Sequence, residues 1–513
     1  MPHKSGHMPD DSAPGTRDPA ADSGPTARGG RGRPASSGAT ARGAVGPAAS
    51  SGTTAPSGSL RGSAASSSGA DRLAIERVLA GMKEAGVQQV ELQFADVTGA
   101  VKTVAVPARR IAAVLADGEW FDGSAIEGLA REVESDMYLR PDPATFSIME
   151  PAGVPCARLI CEVVTPSGDL YPGDGRSALR SLLDGAESAG LGYLVAPEIE
   201  FFLFPADAIG PLADDPSSYF ERSRGRSRRV ELEIVSGLEA IGIHIESSHH
   251  EVASGQFELD LPLLPALVAA DTVTTLKPAV KEMARDRGMQ ATFMPKPLAD
   301  AAGSGMHVHQ VLVDRAGRSV FDDPSDAYGL STIARAFLAG QLEHAPGMSA
   351  LVAPTVNSYK RLVPGYEAPV AGSWGRHSRG ALIRVPTPVR GDAAPGEVFG
   401  ARLELRLVDP SCNPYLAFTA MLAAGLDGMD RDCELGPPLE EIEHGFGGGG
   451  HSVTRPLPAS LGEALEALED DDVITAALGS ELMELFRSAK KLEWEAYRRQ
   501  VTPWERDTYF QRC

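Results

Sequence analysis

The sequence predicts an α+β fold built around a barrel-like, mainly antiparallel sheet. First, segments with apolar residues at helical spacing alternate with short runs in which polar and apolar residues alternate. Second, several of these runs carry Glu, His or Arg on one face, which favours a sheet or barrel with a polar, ligand-lined interior. Third, the length of 513 residues and the hydrophobic content of 42% are sufficient for about two or three domains with a large buried core.

Residues 1–70 differ from the rest of the chain because they are almost wholly Ala, Gly, Ser, Thr, Pro and Arg. Such a composition cannot bury a core, so we expect a disordered low-complexity tail. The tail lacks the apolar central run of a signal peptide, and no later stretch reaches the roughly 18 consecutive apolar residues of a membrane span.

The charge and cysteine content restrict the class of partner and the compartment. A net charge of -21 argues against nucleic acid and against an anionic membrane surface as partners. The five cysteines form no CxxC pair, which is typical of reduced thiols in a cytoplasmic protein.

An N-terminal domain is predicted over residues 71–172. Residues 71–86 have the apolar spacing of a helix that ends near a glycine. Residues 87–107 form two alternating runs around Thr98 and Gly99, which predicts a β-hairpin. Further strands are expected near 146–150 and 157–164.

The second domain is predicted over residues 173–513 and opens with a helix at 173–190. Three of its strands carry polar residues two apart, and period two places each set on one face of its strand. These residues are Glu198 and Glu200, then His307 and His309, then Arg402, Glu404 and Arg406. The polar faces could simply meet water, but a shared polar interior explains three such strands better.

A fourth element with this chemistry is the stretch SSHHEVASGQFELD at 247–260. A two-residue turn at Ser254 and Gly255 would make Glu251 and Glu258 direct cross-strand neighbours. Like charges in that arrangement are destabilising, so we expect a cation between them. The adjacent histidines at 249 and 250 are not predicted as ligands.

Six side chains on these elements could ligate metal: Glu198, Glu200, Glu251, Glu258, His307 and Glu404. Oxygen ligands with one imidazole suit Mg²⁺ or Mn²⁺, and so many carboxylates predict two or three ions. Arginines accompany them at positions 361, 376, 379, 384, 402 and 406, which indicates an anionic substrate unless they form surface ion pairs. Neither a P-loop nor a dinucleotide-binding glycine motif is present, and the glycine-rich run at 445–451 is predicted to be a surface loop.

The motifs of residues 71–513 resemble those of glutamine synthetase of the bacterial type I class, in the order of that family. They are FDGSAIEG, SDMYLRPD, PEIEFFLF, SHHEVASGQFELD, ATFMPKP, GSGMHVH, NSYKRLVPGYEAP, ALIRVP, RLELRLVDPSCNPYLA and WEAYRRQVTPWERDTY. The resemblance implies an N-terminal β-grasp domain, a C-terminal catalytic domain, and ATP, glutamate and ammonium as substrates. It also implies a homo-oligomer, a dodecamer of two stacked hexameric rings, with active sites between neighbouring subunits.

Position by position, the resemblance implies two metal sites and a substrate site. Glu200, Glu251 and Glu258 would hold the first metal, and Glu200 would also contact substrate. Glu198, His307 and Glu404 would hold the second metal. The nucleotide or its phosphates would be contacted by His309, Arg379, Arg384 and Arg402.

For glutamate, the resemblance implies Arg361 at the α-carboxylate, Arg406 at the γ-carboxylate and the Gly303 carbonyl at the amino group. Asp122, from the neighbouring subunit, would deprotonate ammonium. Catalysis would also involve Arg379, at the phosphates, and Glu367, on a flap that closes the site. Tyr219 would belong to the ammonium pocket.

Departures from the family pattern leave the amine open. Ala125 and Ala302 replace a serine and an asparagine of the family pattern. Ser378, Arg379 and Gly380 stand where that pattern has Asn-Arg-Ser, and Val311 stands where some members have serine. The first hypothesis is a glutamate-ammonia ligase. The second is a γ-glutamyl ligase for a polyamine or another small amine, and the third is an inactive regulatory member of the family.

Overall fold

The computed structural model describes residues 69–125, 136–149, 153–212, 218–388, 398, 400–440 and 456–513, without the side chains of 69–71 and 125. Three predicted features lie outside this part: residues 1–68 of the predicted tail, the glycine-rich run at 445–451, and the side chain of Ala125. Among the described residues, no helix combines the length and apolar character needed to cross a lipid bilayer.

The first part of the described chain is a helix followed by a mixed sheet. Helix α1 spans Gly69–Glu84 and α2 spans Ile111–Asp117. The strands are β1 Gln89–Ala95, β2 Val101–Pro107, β3 Glu119–Asp122, β4 Asp136–Pro141, β5 Ser147–Met149 and β6 Cys156–Val164. Within the described residues their order is β2-β1-β6-β4-β3, and β5 also pairs with β6.

The predicted hairpin of β1 and β2 is present, and its turn has a clear local cause. The Asp96 Oδ1 atom accepts hydrogen bonds from the backbone N–H of Thr98 and of Ala100, at 3.0 Å each. Such a side-chain bond to the backbone two residues ahead is the usual reason for aspartate in turns. The two strands pair in antiparallel register from Ala95 opposite Val101 onward.

The second sheet is larger, and its described strands pair antiparallel except for Trp374–Gly375 with Ile383–Arg384. Its strands are β7 Gly192–Pro205, β8 Ser247–His250, β9 Gln256–Asp260, β10 Leu264–Pro265, β11 Met289–Thr292, β12 Met306–Val313, β13 Trp374–Gly375, β14 Ile383–Arg384 and β15 Leu403–Leu405. Across the described part the order is β13-β14-β15-β12-β7-β9-β8, with β10 and β11 on β7.

Ten helices accompany this sheet in the described part of the chain, and two of them, Gly175–Ser188 and Ala266–Asp286, pack directly against β7. The ten helices are α3 Gly175–Ser188, α4 Gly225–Ala240, α5 Ala266–Asp286, α6 Thr332–Val352, α7 Ser358–Arg361, α8 Pro414–Asp430, α9 Leu461–Glu469, α10 Asp472–Leu478, α11 Ser480–Tyr497 and α12 Pro503–Tyr509. The residues between the polar positions of the strands, such as Ile199, Val308 and Leu403, are fully buried. The opposite, polar face is therefore free to line a cavity, and the predicted α+β class is confirmed.

The prediction for the 247–260 hairpin was wrong in register. His249, not Glu251, lies opposite Glu258, and the backbone N–H of Glu251 donates to the carbonyl of Gln256 at 2.9 Å. Gly255 is tied to β7 instead of forming a two-residue turn, because its carbonyl accepts from Leu203 N–H at 2.9 Å. The chain therefore needs four residues, 252–255, to reverse direction.

Candidate active site

The polar face of the second sheet lines a cavity of about 460 Å³. Of the residues predicted for the site, those that line it are Glu198, Glu200, Tyr219, Glu251, Glu258, Gly303, His307, Arg361, Glu367, Arg379, Arg384, Glu404 and Arg406. Strands β7, β9, β12, β14 and β15 supply six of them, α7 supplies Arg361, and segments outside the strands and helices supply the other six. Residues far apart in sequence thus meet because alternate positions of adjacent strands face one side.

Three predicted residues do not line this cavity. His309 lies behind Glu198, with its Nε2 atom 2.8 Å from the carboxylate. Arg402 donates to the carbonyl of Val398 at 3.5 Å. Asp122 accepts hydrogen bonds from the backbone and hydroxyl of Ser124, at 2.9 and 2.8 Å, and does not reach the cavity of its own chain.

Three carboxylates crowd one end of the cavity. Glu200 lies directly opposite Glu258 on the neighbouring strand, and Glu251 lies near both. Burial raises the pKa of Glu200 above its usual range, and the charge of Glu251 raises it further. Burial and the charge of Glu200 also raise the pKa of Glu258. Such a cluster is stable when protonated or when a cation lies among the oxygens, so these residues fit a metal.

A second group surrounds His307. Its Nδ1 atom is 3.6 Å from Glu198 Oε2 and 3.8 Å from Glu404 Oε1. Two ligands of one octahedral ion, each about 2.1 Å from it, lie about 3 Å apart when adjacent and about 4.2 Å apart when opposite. These separations fit ligands of a shared cation, whereas the 2.8 Å contact between His309 and Glu198 has the length of a hydrogen bond. His309, Glu198 and Glu404 nevertheless also bring ligand atoms within 4.8 Å of one another.

Arginines next to Glu404 pair with its carboxylate. Arg406 Nη1 is 2.6 Å from Glu404 Oε1, and Arg384 also pairs with this carboxylate. Burial lowers the pKa of His307, and the charge of Arg406 lowers it further, to about 4, which keeps its imidazole neutral at physiological pH. A neutral imidazole is the form that binds metal.

Arg361 is buried at the floor of the cavity and is held by backbone carbonyls. Its Nη1 and Nη2 atoms donate to the carbonyls of Leu407 and Arg406, at 3.2 and 3.1 Å. A Cβ atom on Gly305 would lie 2.6 Å from Arg361 Nη2 and 3.0 Å from His307 Nε2. Glycine at 305 therefore allows the loop to pass between the arginine and the predicted metal group.

The predicted flap lies over the cavity and is held at two points. Glu367 Oε2 is 2.7 Å from Arg379 Nη1, and both side chains are about half exposed. The Tyr366 ring lies 3.5 Å from Lys296 Nζ, a cation–π contact. Arg379 in turn lies 5.6 Å from the centre of the Tyr219 ring, so the flap connects the predicted ammonium pocket to the predicted phosphate site.

Three polar residues on the strands around the cavity were not predicted from the sequence. Gln256 is fully buried and donates through Nε2 to Glu200 and to the carbonyl of Gly303, at 2.8 and 3.1 Å. Asp260 lies opposite Glu198, and its carboxylate is within 4.8 Å of Glu198 and Glu258. His249 lies opposite Glu258. All three share the period-two face of the predicted acids, and that signal could have identified them.

The chain matches the family models of two domains. Residues 86–166 match the β-grasp domain of glutamine synthetase, and residues 172–509 match the catalytic domain of glutamine synthetase. The glutamine synthetase of Halobacterium salinarum is 43% identical over 444 residues, which cover 85% of this chain and 96% of the relative. That of Thermus thermophilus is 43% identical over 446 residues, covering 84% and 98%.

Solved structures agree on the fold. A structure described as a GmaS/ADP complex matches with a TM-score of 0.76 at 33% identity, covering 85% of this chain and 99% of its own. An apo GmaS structure matches with a TM-score of 0.75 at 34% identity, with the same coverage. The predicted pairing of a β-grasp domain with a catalytic domain is thus confirmed.

Proposed function

The chain belongs to the glutamine synthetase family, and from this premise we propose that it is an ATP-dependent ligase that joins glutamate and ammonium to give glutamine. The observation that carries the proposal is the single cavity in which all six predicted metal ligands meet four predicted substrate arginines. Loss of any of these side chains would argue for an inactive regulatory member, and none is missing.

The proposed cation sites use the two groups of side chains. Glu200, Glu251 and Glu258 would hold one Mg²⁺ or Mn²⁺, and Glu198, His307 and Glu404 a second. Bound there, such ions polarise phosphoryl oxygens and neutralise the charge that develops during phosphoryl transfer. A third ion is compatible with the number of carboxylates, Asp260 included.

The protein's own side chains would position the substrates. Arg361, buried and held by two carbonyls, is suited to bind the α-carboxylate of glutamate, and the Gly303 carbonyl would accept from the amino group. Arg406 would bind the γ-carboxylate, and Arg379 and Arg384 would neutralise the ATP phosphates, with His309 and Arg402 nearby. Positioning of this kind aligns the γ-carboxylate for attack on the terminal phosphoryl group.

The reaction would pass through a γ-glutamyl phosphate. The γ-carboxylate oxygen attacks the terminal phosphorus of ATP, and ADP leaves. Asp122 of a neighbouring subunit would take a proton from ammonium, and the resulting ammonia attacks the acyl carbon and displaces phosphate. Glu367 on the flap would exclude water, which would otherwise hydrolyse the acyl phosphate.

A small organic amine is the second candidate for the nucleophile. Ala302, where the family usually has asparagine, lines the cavity next to Gly303. A methyl group there leaves more room and less polarity than a carboxamide. The similarity to chains described as GmaS as well as to glutamine synthetases does not decide between amines.

In the test, purified protein is incubated with ATP, Mg²⁺ and glutamate, and one amine is added at a time: ammonium, methylamine, ethanolamine, putrescine or spermine. Phosphate release and the γ-glutamyl product are measured. We expect glutamine with ammonium. A product with an organic amine alone would replace the first proposal by the second, and no product with any amine would reject both. Glu258→Ala should be inactive, because it removes an oxygen ligand of the first proposed cation site.

The proposed assembly is a dodecamer with active sites between subunits, and the proposed domain boundary is residue 172. The position of Asp122 supports shared sites, since it lies outside the cavity of its own chain. Light scattering of the purified protein tests the assembly. For sharing, mixing an Asp122→Asn variant with a Glu258→Ala variant should restore part of the activity, because some mixed sites contain neither change.

A further inference from the structure

His249 lies at the same cavity but has no role in the proposed reaction. It is two residues before Glu251, so both side chains leave the strand on one face, and it lies directly opposite Glu258 on β9. The next residue, His250, points the other way and packs against the ring of Phe257 with centroids 5.0 Å apart. Of the two adjacent histidines, therefore, His249 is the one that reaches the carboxylates.

The spacing of His249 from the carboxylates fits a shared cation. Its Nε2 atom is 3.9 Å from Glu251 Oε1, which is too long for a hydrogen bond but within the separation of two ligands of one octahedral ion. One ligand atom each from His249, Glu251 and Glu258 lie within 4.8 Å of one another. The proposed second site contains His307, and the group of Glu251 and Glu258 likewise contains a histidine, His249.

The imidazole of His249 is held by apolar packing. The ring of Phe220 lies 4.7 Å away and that of Tyr219 lies 6.0 Å away. The Nδ1 atom is buried and has no hydrogen-bond partner among the described residues. Aromatic packing thus orients the ring. No hydrogen bond to a described residue occupies its Nδ1 atom.

We propose that His249 is a further ligand of the cation held by Glu251 and Glu258, and that it makes this site favour Mn²⁺ over Mg²⁺. The proposal rests on the metal sites of the proposed function. Mn²⁺ also prefers oxygen ligands but, as a transition metal, accepts imidazole, whereas Mg²⁺ takes oxygen ligands and retains its waters. A site with a nitrogen ligand therefore gains more affinity for Mn²⁺ than for Mg²⁺, and a carboxylate-only site does not.

The test measures cation binding without turnover. Mn²⁺ is titrated into the metal-free protein while the free ion is followed by electron paramagnetic resonance, and Mg²⁺ is used as competitor. His249→Gln should weaken Mn²⁺ binding about 10- to 100-fold, the range for groups that support a metal site, and change the Mg²⁺ constant less than about threefold. His244→Gln, an exposed histidine on the preceding loop, is the control and should change neither.

A second measurement counts the nitrogen ligands directly. Pulsed electron paramagnetic resonance of bound Mn²⁺ detects ¹⁴N from coordinated imidazole. The signal should fall in His249→Gln relative to the unaltered protein, and again in His249→Gln combined with His307→Ala relative to His307→Ala alone. His249→Asn serves the same purpose if the glutamine variant does not fold.

The outcomes separate the two proposals. Absence of stoichiometric Mn²⁺ binding to the unaltered protein would overturn the metal part of the proposed function. Normal binding, with the same ¹⁴N signal and the same Mn²⁺ to Mg²⁺ ratio in folded His249→Gln, would overturn the role of His249 alone.

Discussion

Single residues decide how the crowded carboxylates are held in place. Glu200 accepts from the Gln256 side chain and from the backbone N–H of Gly305, at 2.8 and 3.1 Å. Gln256 also donates to the carbonyl of Gly303, which we propose as the acceptor for the substrate amino group. One amide thus connects a proposed metal ligand to a proposed substrate contact, and it fixes the orientation of both.

Replacement of Gln256 by leucine should impair substrate use more than folding. The change removes both hydrogen bonds, so kcat/KM for glutamate should fall about 10- to 100-fold, as for other supports of metal ligands. Gln341→Leu is the control, since Gln341 is equally buried but bonds to Gln310 and the Met421 carbonyl. The control should lower the melting temperature and leave the KM for glutamate unchanged. Equal effects of both variants on KM would contradict a role for Gln256.

Backbone strain marks Glu367 on the flap. Its φ angle is 58°, in the left-handed region that residues other than glycine seldom adopt. The ion pair with Arg379 is exposed and contributes about 1 kcal/mol or less. Strain of this kind costs about 1 to 3 kcal/mol and is often found at functional sites. The carboxylate at 367 therefore does not serve the stability of the fold.

We expect Glu367→Gly to affect thermal stability and the coupling of phosphate release to glutamine formation in different ways. The melting temperature should stay the same or rise, because glycine adopts a positive φ without strain. Phosphate release per glutamine formed should increase, because water would reach the acyl phosphate. Glu367→Gln keeps the backbone strain. It should also increase phosphate release per glutamine formed, but it should not raise the melting temperature. A ratio of one phosphate per glutamine in both variants would exclude the proposed shielding role.

At the scale of elements, helices α6, α8 and α10 meet at a buried histidine. The ring of His344 on α6 contacts Asp471, the N-cap of α10, at 2.8 Å and Asp427 on α8 at 3.0 Å. Asp427 also pairs with Arg431, at 2.9 Å. Burial lowers the pKa of His344, but the hydrogen bonds and charges of the two aspartates outweigh burial and raise it overall.

This pair of contacts should make stability depend on pH. Since the folded pKa of His344 is raised, its contribution is complete below the unfolded value of about 6.5 and is lost as pH rises through the folded value. The difference in melting temperature between the unaltered protein and His344→Gln should therefore be largest below about pH 6.5 and shrink as the pH rises through the raised folded pKa. A difference that is constant across this range would show that the ring is not charged in the folded state.

At the scale of the whole molecule, a buried arginine joins the first sheet to the helices behind the second. Arg176 on α3 contacts Asp142, which follows β4, at 2.9 Å and Asp271 on α5 at 2.8 Å. Its side chain is only 3% exposed. Tyr415 on α8 donates to the same Asp271 at 2.7 Å. The two parts of the fold therefore share one charge network, which explains how the first sheet is oriented against the catalytic part.

Loss of Arg176 should destabilise the molecule strongly. Arg176→Met leaves Asp271 buried without its cation, which costs about 3 to 5 kcal/mol. Arg180→Met is the control, because Arg180 pairs with Asp142 at 2.8 Å but is one-third exposed, so its loss should cost about 1 kcal/mol or less. Urea unfolding of both variants measures the difference, and equal midpoints would contradict the role assigned to burial.

Local sequence patterns were sufficient to predict the α+β class, the first hairpin and the chemistry of the cavity. These depend on local rules: strand alternation places Glu198 and Glu200 on one face, and Asp96 sets its own turn. The resemblance carried by long motifs added the family. Alternation also explains why six of the thirteen predicted cavity residues, those on strands, line one cavity, since it is preserved wherever the strands pair.

Which residues face each other across strands, in contrast, depends on tertiary packing. The contact of Gly255 with β7 set the hairpin register, which placed His249 opposite Glu258 and made the turn longer than predicted. The bonds of Gln256 and the place of Asp122 outside its own cavity likewise depend on partners distant in sequence. Pairing register and long-range contacts are set by the packing of the whole sheet, and no local pattern encodes them.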